Sequence, residues 1–141
     1  MLDDYPIQTT LTVRWNDMDA LGHVNNTVYF SFFEAARIRF YESLNVVPTR
    51  EGKKFGFNLV ATSCNFRREI CYPADAIIAS RIAKIGRSCF HFEHAIFTNG
   101  YDDPAAEATA VLVWTDFDAR KSVELPDDLR AALEVYVGTT R

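Results

Sequence analysis

The chain has 141 residues, the size of one ordinary domain, and 48% of them are hydrophobic, enough for a real core. Eleven Phe, six Tyr and two Trp make that core rich in aromatic rings. A net charge of −4 and a pI of about 5.3 exclude a whole-molecule basic field for nucleic acid, so a polyanionic ligand would need a local basic patch.

The acidic start, Met-Leu-Asp-Asp-Tyr-Pro, lacks the apolar run of a signal peptide or membrane span. Cys64, Cys71 and Cys89 are an odd set without CxxC spacing and read as free thiols, so a reducing cytoplasm is the expected compartment. Ile7 to Trp15 alternates, with Ile7, Thr9, Leu11, Val13 and Trp15 on one side, which predicts a half-buried strand. Asn16 to Gly22 reads as a loop. A helix follows from about Asn26 to Leu44, capped by Asn25 or Asn26, because a short amide oxygen reaches back to free N–H groups. Val28, Tyr29, Phe32, Phe33, Ala36 and Phe40 form a wide apolar stripe on a largely enclosed helix, with Ser31, Glu34 and Arg37 as its polar exceptions.

Val46 to Gly56, containing Pro48, is a connection. Strands are predicted over Phe57 to Ile70, Asp75 to Ile85, Ser88 to Thr98 and Ala106 to Phe117. Gly86-Arg87 makes a tight turn, and Asn99-Gly100 with Asp102-Asp103-Pro104 is a strong turn signal. After a turn at Asp118 to Lys121, Pro126 opens a short helix carrying Leu129, Leu133 and Val137. With no repeat or linker, the economical architecture is a single α+β domain over residues 1–141, one antiparallel sheet wrapped around one long helix.

The stretch richest in chemistry runs from Trp15 to Glu34. Asp17, Asp19 and His23 surround Gly22 just ahead of a helix N-terminus, where unpaired N–H groups carry partial positive charge. A carboxylate there can act as base or nucleophile on a carbonyl, with amides around Val24 to Asn26 holding the oxyanion. The structural alternatives are plain. Asp19 could brace its loop, Asp17 could make turn hydrogen bonds, His23 could be structural, and Asn25 and Asn26 could simply cap. Glu34 could pair with Arg37 at i,i+3 or support the site from beneath. Lys84, Arg87 and Ser88 around Gly86 could bind phosphate or form an ordinary charged hairpin tip, with Arg67-Arg68 and Arg81 as weaker candidates. His91 and His94 fall on opposite faces of their strand, so no shared metal site is expected, and no HExxH, P-loop or dinucleotide fingerprint is present.

The motif W-x-D-x-D-x-x-G-H-V-N-N-x-x-Y followed by F-E-x-A-R resembles the hotdog-fold thioesterases of the 4-hydroxybenzoyl-CoA thioesterase type, and is also similar to plant acyl-ACP thioesterases. The resemblance implies a hotdog fold, a dimer or tetramer with sheets joined edge to edge and sites at the interface, and hydrolysis of an acyl-CoA thioester without metal or redox cofactor. It makes Asp19 the nucleophile or general base, with His23 beside it and Asp17 and Glu34 in support. The amides of Val24, Asn25 and Asn26 become oxyanion donors, Lys84, Arg87 and Ser88 contact CoA, and Tyr29 and Phe33 line the acyl pocket. The plant pattern has Asn two residues before its His, where this chain has Leu21, so the Asp-Asn-His set of that group is incomplete. A hotdog hydratase or dehydratase, a non-catalytic acyl-CoA or lipid-binding module, and a purely structural protein are the competing readings. The acyl group, and CoA against ACP as its carrier, stay open.

Overall fold

In the computed structural model, which describes residues 1–46 and 51–138, the first strand stops earlier than its alternation predicts. Strand β1 covers Ile7–Thr12. Beyond it the Arg14 amide donates to the Asp17 carboxylate at 2.7 Å and the Asp17 amide donates back to the Arg14 carbonyl at 3.0 Å. That reciprocal pairing winds Trp15–Asp17 into a 3₁₀ turn and swings Trp15 out to 71% exposure, so Trp15 leaves the apolar side of the strand.

Helix α1 spans Asn26–Ser43. The remaining elements are β2 (Phe55–Phe66), β3 (Asp75–Ile85), β4 (Cys89–Thr98), β5 (Ala106–Asp116), β6 (Lys121–Ser122) and α2 (Asp127–Glu134). Strand β2 ends at Phe66 rather than Ile70 because the Arg67 and Arg68 amides both turn to the Ala105 carbonyl, at 2.8 and 3.0 Å. The short β6 is an addition to the predicted strands. Asp116 Oδ1 accepts from the amides of Asp118 and Ala119, both at 3.0 Å, and this Asx turn folds Lys121–Ser122 back onto β5. Val137 lies past the end of α2, bridges to Ile82 and is 45% exposed, so it is not on the helix's apolar face. Part of the predicted Val46–Gly56 connection, Pro48 included, falls outside the described residues.

All pairings within the sheet are antiparallel, in the order β1-β3-β4-β5-β2, with β6 on the end of β5. The inward residues of β4 and β5, Phe90, Phe92, Ile96, Ala106, Ala110 and Leu112, are buried with α1, so the sheet wraps the helix in the hotdog arrangement. On the outer face Leu2 and Tyr5 pack over Ala79, Ala95 and Phe97. The helix runs along the strands: Tyr29 near its start meets Phe66 at 5.0 Å between ring centroids, and Tyr41 near its end meets Phe57 at 5.3 Å. Its N-terminus therefore lies at the sheet end made by Thr12, Asp75, Thr98, Ala106 and Phe66.

The buried side of α1 includes Arg37 as well as the expected apolar residues, while Glu34 faces outward and is exposed. Glu34 is therefore not enclosed beneath the site within this chain, and no Glu34–Arg37 ion pair occurs among the described residues. The two are neighbours at i,i+3, and the charge of Glu34 acts on Arg37, but Arg37 is enclosed while Glu34 is exposed.

Candidate active site

The segment ahead of α1 is a small hairpin closed by a bridge between Met18 and Val24. The Asp19 amide donates to the His23 carbonyl at 3.2 Å and the Gly22 amide to the Asp19 carbonyl at 3.1 Å. Gly22 has φ +87°, a left-handed conformation that costs glycine little and other residues more. Asp19 is half-buried, and each of its oxygens has one donor. Oδ1 accepts from the Leu21 amide at 2.9 Å and Oδ2 accepts from Asn25 Nδ2 at 3.0 Å. Asn25 is the N-cap of α1, its Oδ1 accepting from the Thr27 amide at 2.9 Å. Asp19 thus stands at the start of the central helix. An ionised carboxylate can accept about four hydrogen bonds, so the two made here leave room for it to accept one from water.

Asp17 differs from Asp19 in both burial and partners. It is 3% exposed and locked to Arg14 by the backbone bond already described and by a guanidinium contact of 2.9 Å. Its carbonyl also accepts from the Asn25 amide at 3.0 Å. Asp17 is a brace for the hairpin.

His23 turns away from Asp19. Its Nδ1 lies 3.3 Å from the Val24 carbonyl and its Nε2 is 3.8 Å from Glu69 Oε1, so no side-chain bond links it to Asp19 among the described residues. Together with Asn26, Tyr29, Phe66, Arg67, Arg68 and Glu69 it lines a cleft of about 170 Å³ at the mouth of α1. The three predicted oxyanion amides are not equivalent. The Val24 amide donates to the Ile70 carbonyl at 2.8 Å and the Asn25 amide to the Asp17 carbonyl at 3.0 Å, so both are already used. The Asn26 amide has no acceptor among the described residues, and Asn26 lines the cleft. Of the three, only the Asn26 amide is left without an acceptor among the described residues.

Of the predicted acyl-pocket pair, Tyr29 lines the cleft, and burial pushes its phenol above the ordinary range while a backbone contact from Ile70 opposes that shift. Phe33 is fully buried and stacks on His94 at 5.3 Å, so it is core packing beneath the site and not pocket wall. Lys84, Arg87 and Ser88 do meet at the β3–β4 hairpin, where the Gly86 amide donates to the Cys89 carbonyl at 2.7 Å. Lys84 and Arg87 are exposed, Arg87 reaching only a 3.8 Å contact with Glu124, while Ser88 is half-buried. Arg130 clamps this turn by donating to the Gly86 and Arg87 carbonyls at 2.9 and 3.1 Å. The hairpin sits at the opposite sheet end from Asp19. Strand β3 has 11 residues, and at about 3.3 Å per residue the two ends are roughly 30 Å apart within one chain.

A family model of the thioesterase-like superfamily matches residues 13–133. The chain belongs to this superfamily. Long-chain acyl-CoA thioesterase FadM of Escherichia coli (strain K12) is 26% identical over 131 residues, covering 93% of this chain and 99% of FadM. The chloroplastic acyl-acyl carrier protein thioesterase ATL3 of Arabidopsis thaliana is 25% identical over 127 residues, 88% of this chain and 65% of that protein. Among solved structures, a thioesterase from Thermus thermophilus complexed with coenzyme A and Zn shares 30% identity and a TM-score of 0.82, covering 99% of each chain. The PA5185 protein of Pseudomonas aeruginosa strain PAO1 gives a TM-score of 0.90 at 26% identity, over 99% of this chain and 96% of that one.

Two features of this thioesterase-like chain escape a reading of the motif. Arg68 is a strut: its guanidinium sits 3.5 Å from the Tyr101 ring centroid and donates to Thr98 Oγ1 at 3.0 Å and to the Asp103 carbonyl at 3.1 Å. A polar cluster also lies in the core, with Arg37 6% and His94 2% exposed and Ser80 Oγ against His94 Nδ1. The signal for His94 was its phase, since it alternates with Phe90, Phe92 and Ile96 on the inward face. Burial raises the Cys64 thiol, the direction of an unreactive cysteine. No helix among the described residues is long and apolar enough to cross a membrane.

Proposed function

We propose that this chain hydrolyses an acyl-CoA thioester to the free acid and CoA, with Asp19 driving the attack. The observation that carries this reading is the 3.0 Å bond from Asn25 Nδ2 to Asp19 Oδ2, which ties the carboxylate to the N-cap of α1. One residue on, the Asn26 amide has its N–H unused at a helix N-terminus, suited to a developing negative charge. Asp19 acts as general base, taking a proton from water as the water oxygen adds to the thioester carbon, or as nucleophile, attacking that carbon itself, expelling the thiolate and leaving a mixed anhydride that water opens to the free acid and Asp19, with the released proton passing to the thiolate. In the first route the tetrahedral intermediate expels the thiolate, and the proton held on Asp19 returns to sulfur. Removing one oxyanion donor raises such barriers by about 3 kcal/mol. His23, on the cleft wall, orients water or the thioester. Similarity to FadM and to the coenzyme A-bound thioesterase favours CoA as the carrier.

The same reading takes the working unit as a homodimer, alone or as half of a tetramer. Strand β2 is a sheet edge exposing Phe55, Leu59, Val60 and Phe66. Two β2 strands paired antiparallel bring the Phe66 end of one, which shares a cleft with its own Asn26, to the Phe55 end of the other. At the Phe55 end lies Trp114, whose amide donates to the Ser88 carbonyl at 2.7 Å, so the partner's basic hairpin comes round to the first chain's cleft. Pairing answers the separation of roughly 30 Å within one chain.

The test is thiol release from acetyl-, octanoyl-, palmitoyl- and benzoyl-CoA, with wild type and Asp19→Asn. Release by the wild type and a loss on the order of 100-fold or more in a folded Asp19→Asn support the assignment. Near-normal turnover in that variant overturns it. A changed acyl group with the thioester intact marks a hydratase, and thermal stabilisation by acyl-CoA without turnover marks a binding module.

A further inference from the structure

Asn25 does more than a cap requires. Capping needs only a side-chain oxygen, which Ser, Thr or Asp supplies about as well. In Asn25 that oxygen accepts from both the Thr27 amide, at 2.9 Å, and Thr27 Oγ1, at 2.7 Å. Two donors on one atom fix which end of the amide is oxygen, so the nitrogen must point the other way, and it donates to Asp19 Oδ2 at 3.0 Å. The backbone of Asn25 is equally committed, its N–H to Asp17 and its carbonyl to the Val28 amide at 2.9 Å. A residue tied at every polar group, at the start of a helix with seven buried side chains, is a rigid anchor.

Asp19 needs such an anchor. Its loop is otherwise open: Ala20, Leu21 and Gly22 are all exposed. The terminal torsion of an aspartate is broad, so one hydrogen bond leaves the carboxylate plane free to swing. The Leu21 amide supplies one tether, but from the tip of the same exposed turn, two residues away. The second tether, from Asn25, refers the carboxylate to α1 and hence to the Asn26 amide on the same helix.

We infer that Asn25, held in place by Thr27, is a positioning residue that fixes the Asp19 carboxylate against the oxyanion end of α1. The inference rests on Asp19 being the group that drives hydrolysis. A misplacement of about 1 Å in a reacting group costs on the order of 100-fold in rate, so the effect belongs in kcat. The side chain of Thr27 is exposed and meets the reacting groups only through Asn25.

The experiment uses the full chain with octanoyl-, palmitoyl- and benzoyl-CoA, and compares Asn25→Asp, Asn25→Ser, Thr27→Val, Thr27→Ser and Asp19→Asn. Asn25→Asp keeps a good cap, so its Tm stays near wild type, but it sets an acceptor where a donor stood. The expected result is kcat lower by roughly 10- to 100-fold with KM within about threefold. The acid limb of its kcat/KM profile also moves to higher pH, because two carboxylates then face each other. Asn25→Ser loses kcat similarly without that displacement of the profile. Thr27→Val loses less, about 3- to 10-fold, and Thr27→Ser restores it. Wild-type kcat and pH profile in folded Asn25→Asp and Asn25→Ser overturn the positioning role, as does a lowered Tm with kcat intact. If Asp19→Asn itself turns over normally, the assignment of Asp19 fails; if Asp19→Asn is dead and Asn25→Asp normal, only the role of Asn25 fails.

Discussion

Ser80 Oγ lies 2.7 Å from His94 Nδ1, joining facing residues of β3 and β4 beneath α1. Phe33 stacks on the imidazole, whose Nε2 has no partner among the described residues, and burial first, then the charge of Arg37, holds His94 far below an ordinary imidazole, at about 3. In the unfolded chain the group titrates near its ordinary 6.5. Between those values the unfolded state binds a proton that the folded state refuses, so stability falls as pH drops from about 6.5 towards 3. At roughly 1.4 kcal/mol per unit the full effect is on the order of 5 kcal/mol. Urea midpoints measured from pH 7.5 down to 4.5 should fall steeply in wild type and more gently in His94→Gln. Equal slopes would count against a neutral buried His94. Arg37→Met should also flatten the slope, since it removes the second cause of the shift.

Asp17 and Asp19 should separate cleanly by assay. Asp17→Ala leaves the Arg14 amide without its acceptor and removes the partner of the guanidinium, and should cost about 2–4 kcal/mol in denaturant unfolding. Arg14→Ala should cost less, under about 1 kcal/mol, because the Arg14 side chain is 70% exposed. In the folded fraction of Asp17→Asn, kcat should stay within a few-fold of wild type, while Asp19→Asn loses it. A stable Asp17→Ala with lost turnover would reverse the two roles.

The elements were legible wherever one period ran unbroken. Asp75–Ile85 and the helix from Asn26 follow directly from the sequence, and Asn25 is the cap for the reason anticipated, a short oxygen reaching back to Thr27. Trp15 was misassigned because alternation says nothing about the Arg14–Asp17 contact that ends β1. Arg37 and Glu34 were misassigned because a stripe that wide leaves several faces open, and only the wrap of the sheet selects which polar residue is enclosed. At the site, the motif put Asp19 next to the cap of the helix, where Asn25 holds it, but it could not show that His23 turns instead to the Val24 carbonyl and Glu69. It could not tell a free amide from a bonded one, because the Ile70 carbonyl that occupies Val24 lies 46 residues downstream. Nor could it show that the β3–β4 hairpin stands at the far end of the sheet.

If that hairpin meets CoA phosphate, Lys84→Ala and Arg87→Ala should act on binding. Arg87 is 83% exposed by side chain and its only ion-pair contact among the described residues is the long one to Glu124, so its removal leaves the fold intact. KM for acyl-CoA should rise about 5- to 20-fold with kcat nearly unchanged, the pattern of lost uniform binding. KM for the same acyl group on N-acetylcysteamine, which lacks phosphate, should not move. The CoA effect should also shrink at high salt, as screened phosphate contacts do. A rise in KM for both thioesters would place the defect in folding of the hairpin instead.

The edge of β2 provides the last check. It is long and apolar for an unpaired strand, 12 residues with Leu59 40% and Val60 56% exposed, and such edges pair with another strand unless they carry charge. Its register with β5 shifts between Leu59 and Ala61, so Val60 is the extra residue of a bulge near the middle of the strand. A lysine there would lie close to the two-fold axis of a β2–β2 pairing and meet its own copy, a like-charge contact at the centre of the interface. Light scattering should give wild type twice the chain mass of 16.0 kDa, or four times it, and Val60→Lys should shift towards the single chain. Because Val60 stands apart from Asp19 and the hairpin, its effect on catalysis should come only through assembly: acyl-CoA turnover should fall with the monomer fraction and recover as protein concentration rises. A wild type that is monomeric and fully active would remove the partner's hairpin from the site, and a Val60→Lys variant that stays dimeric would move the interface away from β2.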